Sequence, residues 1–186
     1  HKDANGRLTG VLEELAHGPA MFKMVARLGP EGAKSFARAG ADLWARYGYA
    51  TAEEGHSVPP VADLLRSVAD EGGYKIDVVT YSNVIVDRDY VKRNASKAYK
   101  NRFRVGGAKL TIDGSPQGFT AWRDRPYYAP VGDYPPSYVG YASVPPKDTA
   151  DAVEWAVSND VQLLVHANGE AANDSFIAGL EAAGQK

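Results

Sequence analysis

The sequence predicts an α/β chain built on a parallel sheet, and three observations carry that prediction. β-branched and apolar runs alternate with amphipathic helical stretches along the chain. Gly and Pro punctuate the junctions between them. The last apolar run, Val161–His166, has the continuous character of a strand buried on both faces. Strands alternating with helices imply right-handed βαβ crossovers and therefore parallel pairing.

Taken in order, residues 1–10 are turn-like, with Asp3, Asn5, Gly6 and Gly10. Residues 11–28 carry Val11, Leu12, Leu15, Phe22, Val25 and Leu28 at helical spacing, and Gly18-Pro19 is expected to break them into two short helices. Residues 31–47 read as a helix with Phe36, Ala39, Leu43, Trp44 and Tyr47 on one face and Gly48 as its C-terminal cap. A short strand over 49–53 opens into a loop, 54–60. A helix over 60–71 ends at Gly72-Gly73, and Lys75–Ser82 is a β-branched strand. A polar, basic stretch, 87–104, leads to the strand Ala108–Ile112. Residues 114–147 are irregular and rich in Pro, Tyr and Gly. Helix 146–158, strand 161–166 and helix 169–183 complete the order. Residues 1–48 therefore read as a helical segment leading into the α/β part, 49–186.

The 186 residues are 44% apolar and 24% charged, which suits a packed core. The net charge of -2 exerts no global pull toward nucleic acid or an anionic membrane. The chain has no cysteine, which excludes a disulfide scaffold, a zinc finger and thiol catalysis. No stretch has the length of a membrane span and no signal segment is visible, so a cytoplasmic protein without nucleic-acid or membrane partners is expected. The chain starts without Met, in "HKDANGR", and stops in a helical pattern, "GLEAAGQK". Both ends suggest an internal piece of a longer protein.

In parallel sheets the chemistry sits at the C-terminal strand ends. Those ends carry Glu53, Glu54 and His56; Tyr81, Ser82 and Asn83; Lys109, Asp113 and Ser115; and His166, Asn168 and Glu170. His166 closes an apolar strand and is rigidly placed, either as a metal ligand through neutral imidazole or as a rim histidine satisfied by a hydrogen bond. Lys109 lies inside the apolar Ala-Lys-Leu-Thr-Ile run. It either snorkels to solvent or points to a polar interior, where desolvation exposes a nucleophilic amine able to take up carbon dioxide as a carbamate. Asp113-Gly114-Ser115 is either a turn or a carboxylate at the mouth of a site. Glu53 and Glu54 point to opposite sides, so one of them at most faces a site; Glu54 stays open and His56 is read as structural. The cations of 88–104, with Tyr90, Tyr99 and Phe103 between them, read as a solvated connection rather than a nucleic-acid surface. No phosphate loop, Gly-x-Ser-x-Gly elbow or His-Glu-x-x-His occurs.

Two segments are specific. Gly106–Tyr127, "GGAKLTIDGSPQGFTAWRDRPY", resembles the Lys-x-x-x-Asp-Gly-Ser…Thr-Ala…Pro-Tyr segment of amidohydrolase family 3. Within that family it is similar to the branch of N-substituted formamide deformylase and exoenzyme regulatory proteins. Val161–Asp174, "VQLLVHANGEAAND", resembles the same branch's strand ending in His-Ala-x-Gly-Asp-x-Ala. "DANGRLTGVLEELA" and "GYATAEEG" resemble two further segments, in the family's order.

The resemblance implies a partial (β/α)8 TIM barrel of about four parallel βα units. It also implies one or two divalent metal ions, zinc foremost, at the strand ends, and hydrolysis of a C–N bond in a small amide-type substrate by metal-activated water. His166 matches the histidine ligand of the fifth strand, and Lys109 the fourth-strand position, where a carbamylated lysine or another bridging ligand stands. Asp113 and Ser115 match the motif and line the site. Glu170 stands where the family has Asp. Asp113 is taken as the catalytic candidate, and Ser115, Glu170 and Glu54 as substrate-binding candidates.

The first-strand His-x-His, the strand-six histidine and the strand-eight aspartate have no counterpart here. The four histidines, His1, His17, His56 and His166, cannot supply them in order. The chain is therefore expected to cover the middle of an enzyme, to be inactive by itself, to bind metal weakly and to self-associate through open barrel edges. The alternative is a non-catalytic regulatory or binding domain on a half-barrel scaffold.

Overall fold

A computed structural model describes residues 1–129 and 131–184, with Leu15 described by its backbone alone. The expectations made for the Leu15 side chain, for Pro130 and for Gln185 and Lys186 lie outside the described residues. The chain divides into two compact units, His1–Ala33 and Lys34–Lys186.

In the first unit the Asp3 carboxylate accepts the backbone N–H groups of Asn5 and Arg7, each at 2.9 Å, and closes the opening turn. A 3-10 turn over Glu14–Ala16 runs into α1 (His17–Ala26). Gly18-Pro19 does not break this helix, contrary to the expectation. Both residues lie in its first turn, where the backbone N–H groups have no intrahelical partner and proline removes nothing.

Helix α2 (Gly29–Arg46) precedes β1 (Thr51–Ser57), α3 (Pro59–Asp70), β2 (Asp77–Asn83), α4 (Arg88–Asn94), β3 (Phe103–Thr111), α5 (Pro146–Ser158), β4 (Leu163–His166) and α6 (Glu170–Gly184). The four strands are parallel, in the order β1-β2-β3-β4, and with their helices they form a half-barrel. No described helix is long and apolar enough to cross a membrane.

Three local differences from the sequence reading have physical causes. Strand β1 continues to Ser57, through the stretch read as loop. Its register with β2 shifts between Glu54 and Ser57, so it carries an extra residue there. Strand β3 begins at Phe103 and passes through Gly106-Gly107. A Cβ at Gly107 would stand 2.1 Å from the Gln162 carbonyl oxygen, so only glycine fits beside β4. The basic stretch contains α4, capped by the Asp87 side chain, which accepts the Tyr90 N–H at 2.8 Å. Several of its cations are held within the fold: Arg102 on Asp77 at 3.0 Å, Arg104 over the Tyr99 ring and Arg88 over Trp155.

The helices cover one face of the sheet through two apolar clusters. Val68, Ala69, Ile76, Val78, Phe103 and Val105 form one; Val84, Val91, Ala108, Leu110, Ile112 and Ala152 form the other. Helix α2 reaches the first with Ala37, Ala41 and Ala45, spaced four apart. The stripe read from the sequence, Phe36, Leu43, Trp44 and Tyr47, is exposed instead. The small side chains let the helix approach closely, and Glu71 at the end of α3 holds it by pairing with Lys34 and Arg38.

Candidate functional site

Strand alternation sorts the site residues. Ala108, Leu110 and Ile112 point into the helix-side core, and Leu163 and Val165 pack against it. Lys109, Thr111, Leu164 and His166 therefore face the opposite, inner side. Lys109 stands beside Leu164, and Thr111 beside His166. On β2 the same alternation turns Val79, Tyr81 and Asn83 inward, and Asn83 pairs in register with Lys109. The sheet curls: a Cβ on Gly55 of β1 would lie 3.5 Å from Leu164 Cδ2 of β4, although the two strands are not neighbours. Curvature thus gathers Glu53, His56, Asn83, Lys109 and His166 at the C-terminal end of the inner face.

Lys109 is only 9% exposed. Loss of hydration pushes its ammonium pKa below the ordinary 10.5, and the Glu53 carboxylate partly offsets that shift. The His56 imidazole is also held below its usual 6.5. Desolvation is the main cause, the Lys109 charge and His166 add to it, and Glu54 opposes it.

Two asparagines orient the two imidazoles. The Asn83 amide oxygen accepts the Ile85 N–H at 2.8 Å, which leaves its nitrogen to donate to His56 Nε2 at 3.0 Å. Asn168 donates to the Gly114 carbonyl and to His166 Nε2, both at 2.9 Å. An amide nitrogen only donates, so Nε2 is the lone-pair nitrogen of each ring, and in this arrangement that lone pair is taken by the asparagine; a metal would ligate it only by displacing the amide.

Asp113 is 0% exposed. Its Oδ1 accepts the Asn168 N–H at 2.9 Å, and its Oδ2 accepts the N–H groups of Trp122 at 2.8 Å and Gly169 at 2.7 Å. The carboxylate thus ties the end of β3 to the following loop and to the N-terminus of α6, where the helix dipole favours an anion. His166 Nε2 is 3.9 Å from its Oδ1. Gly169 is obligatory at this junction, because a Cβ there would lie 1.8 Å from the Trp122 carbonyl oxygen.

The other expected site residues are engaged in local contacts. The Ser115 hydroxyl accepts the Gly118 N–H at 3.1 Å and shapes its own turn. Glu170 is exposed in the first turn of α6 and pairs with Arg123 at 3.4 Å. Glu54 accepts the His56 backbone N–H at 3.0 Å. The structure therefore brings Lys109 and His166 onto one face and adds His56 and Asn83, which the sequence reading had not assigned to a site. The extra residue in β1 turns His56 inward, and a bulge of this kind has no sequence signal beyond Gly55. Among the described residues no group of three or more His, Cys, Asp or Glu is placed to hold a metal ion.

A model of the amidohydrolase family matches residues 1–186, the whole length of the chain. Comparison with curated proteins finds no match. Two solved structures are similar. One is an uncharacterized metal-dependent hydrolase from Pyrococcus horikoshii OT3, 22% identical with a TM-score of 0.68 over 83% of this chain and 31% of that one. The other, from Pyrococcus furiosus and described in the same words, has the same identity and TM-score over 83% of this chain and 32% of its own. This chain thus spans about a third of the length of either structure. At that identity the likeness establishes the fold.

Proposed function

The chain belongs to the amidohydrolase family, and from that premise we propose that it forms part of a metal-dependent hydrolase acting on a C–N bond of a small amide-type substrate. Its motifs favour the branch of N-substituted formamide deformylase and exoenzyme regulatory proteins. The observation that carries this reading is the buried Lys109 amine on the inner face, beside the strand that ends in His166.

The donors present fit as a partial set for a divalent ion. His166 offers Nε2 once the Asn168 amide swings off it, and Lys109 offers an oxygen pair once carbamylated. Burial favours that chemistry, because only the unprotonated amine attacks carbon dioxide. The N–C bond forms, the amine loses a proton, and a carbamate anion remains. One or two divalent ions, zinc foremost, would supply Lewis acidity and an activated water. Asn168 occupies His166 Nε2 until a metal replaces it, and Asp113 fixes the loop and helix around the ring. Asp113 serves in this reading as a positioning residue, since backbone amides occupy both of its oxygens. Two donors retain metal weakly, so this chain alone is expected to show no turnover.

NMR in 13C-bicarbonate tests the proposal. A carbamate resonance is expected in the wild type and absent in Lys109→Met. Zinc uptake is expected to be weak and to fall further in His166→Ala. A carbamate signal unaffected by Lys109→Met, or tight stoichiometric zinc binding indifferent to both substitutions, would overturn it.

A further inference from the structure

We propose that Phe119 is the specificity-determining residue of this site, and that its open ring face receives the aromatic part of an aryl amide. The inference rests on the amide-hydrolase reading above and names the substrate class within it.

The first observation is position. The turn after β3 is closed by Gly114 N–H on the Thr120 carbonyl at 3.2 Å, by Thr120 N–H on the Ser115 carbonyl at 3.0 Å, and by Ser115 N–H on Thr120 Oγ1 at 3.0 Å. Phe119 directly precedes Thr120, at the Cα spacing of about 3.8 Å. The same Gly114 offers its carbonyl to Asn168 at 2.9 Å and stands 3.4 Å from His166 Nε2. Phe119 is thus rooted beside His166 on a turn with little freedom.

The second observation is cost. Phe119 has φ +57°, the left-handed region where glycine or asparagine is the usual occupant. Its side chain is 44% exposed, so core burial does not compensate for the strain. The turn does not call for a phenylalanine here, and its ring contact within the fold is the edge of Tyr127.

The third observation is the surface behind the ring. Phe119 stands edge-on to Tyr127 at 5.5 Å between centroids and 74°. Tyr127 stacks on Tyr138 at 5.9 Å, and Tyr138 on Tyr134 at 3.9 Å. The Tyr127 hydroxyl donates to the Ala121 carbonyl at 2.9 Å, and the Arg123 guanidinium lies 5.2 Å from its ring centre. The rear of this four-ring ladder is fixed, and Phe119, 44% exposed, forms its other end. A planar ligand ring meeting that end extends a ladder already in place, without ordering new side chains.

Ligand-observed NMR titration compares benzamide with cyclohexanecarboxamide, which share the carboxamide and a six-membered ring but differ in the π face. The wild-type chain is expected to bind benzamide about fivefold more tightly. Phe119→Tyr is expected to keep that ratio, and Phe119→Leu to bring it to one. Phe119→Gly suits the left-handed backbone, so it keeps the fold while losing the preference. Equal affinities in the wild type, no saturable benzamide binding, or a preference that persists in Phe119→Gly would overturn the proposal. His166→Ala, which removes the metal donor, is expected to leave the benzamide ratio unchanged. A benzamide ratio lost while zinc uptake persists refutes the Phe119 assignment alone; zinc uptake indifferent to His166 beside an intact ratio refutes the metal reading alone.

Discussion

Asp113 shows how one side chain can tie separate segments of a chain together. Three backbone N–H groups from two segments converge on its carboxylate in a region closed to water. Asp113→Ala leaves all three without an acceptor, and urea denaturation is expected to show a loss of about 3 kcal/mol. Asp113→Asn keeps one acceptor oxygen but sets an amide against at least one donor, so it should recover only part of that loss. The aspartate was legible in the sequence as a motif. Its partners were not, because they come from residues 122, 168 and 169, and sequence spacing does not bring those together. His56 carries a pH signature. In the unfolded chain its imidazole takes up a proton as the pH falls through about 6.5, while the folded ring resists until lower pH. Stability is therefore expected to fall below pH 6.5. His56→Asn, which keeps a polar group among Lys109, His166, Glu54 and Asn83, should flatten that limb in a pH series of thermal melts.

At the scale of elements, the sheet owes its geometry to glycines and to one bulge. Gly107→Ala places a methyl group against the Gln162 backbone, which cannot move without breaking the β3–β4 ladder. A loss of roughly 3 kcal/mol or failure to fold is expected, read by circular dichroism and denaturation. Helix α2 gives the opposite lesson to its hydrophobic pattern. Ala41→Leu is expected to cost about 2 kcal/mol by overpacking, whereas Phe36→Ser should change stability by less than about 0.5 kcal/mol, because Phe36 is 73% exposed. A ranking by hydrophobicity predicts the reverse. Elements with strong internal signals, such as α3, α5 and α6, were legible within a residue or two. The start of β3 and the end of β1 were not, because Gly106-Gly107 and Gly55 weaken strand propensity and only neighbouring backbone explains them.

At the scale of the molecule, the outer sides of β1 and β4 have no partner strand among the described residues. A (β/α)8 barrel closes such edges with further strands, at a typical length of about 250 residues. Static light scattering is therefore expected to report a mass above 20.0 kDa that rises with concentration, through pairing of these edges between copies. A concentration-independent monomer mass would show that the edges are protected within one chain.

By itself the sequence determined the parallel α/β order and the motifs that mark the family, and it put Lys109 and His166 on strands while leaving open which side each faces. The order follows from local periodicity, and the motifs from residue types at fixed spacing. Only the tertiary structure decided that Lys109 and His166 turn inward beside His56 and Asn83, that Asp113 is spent on backbone amides, and that alanines rather than aromatics seat α2. Those outcomes depend on a bulge, a sheet curvature and an interhelical distance. Each is set by contacts between segments far apart in the chain, where no local pattern records them.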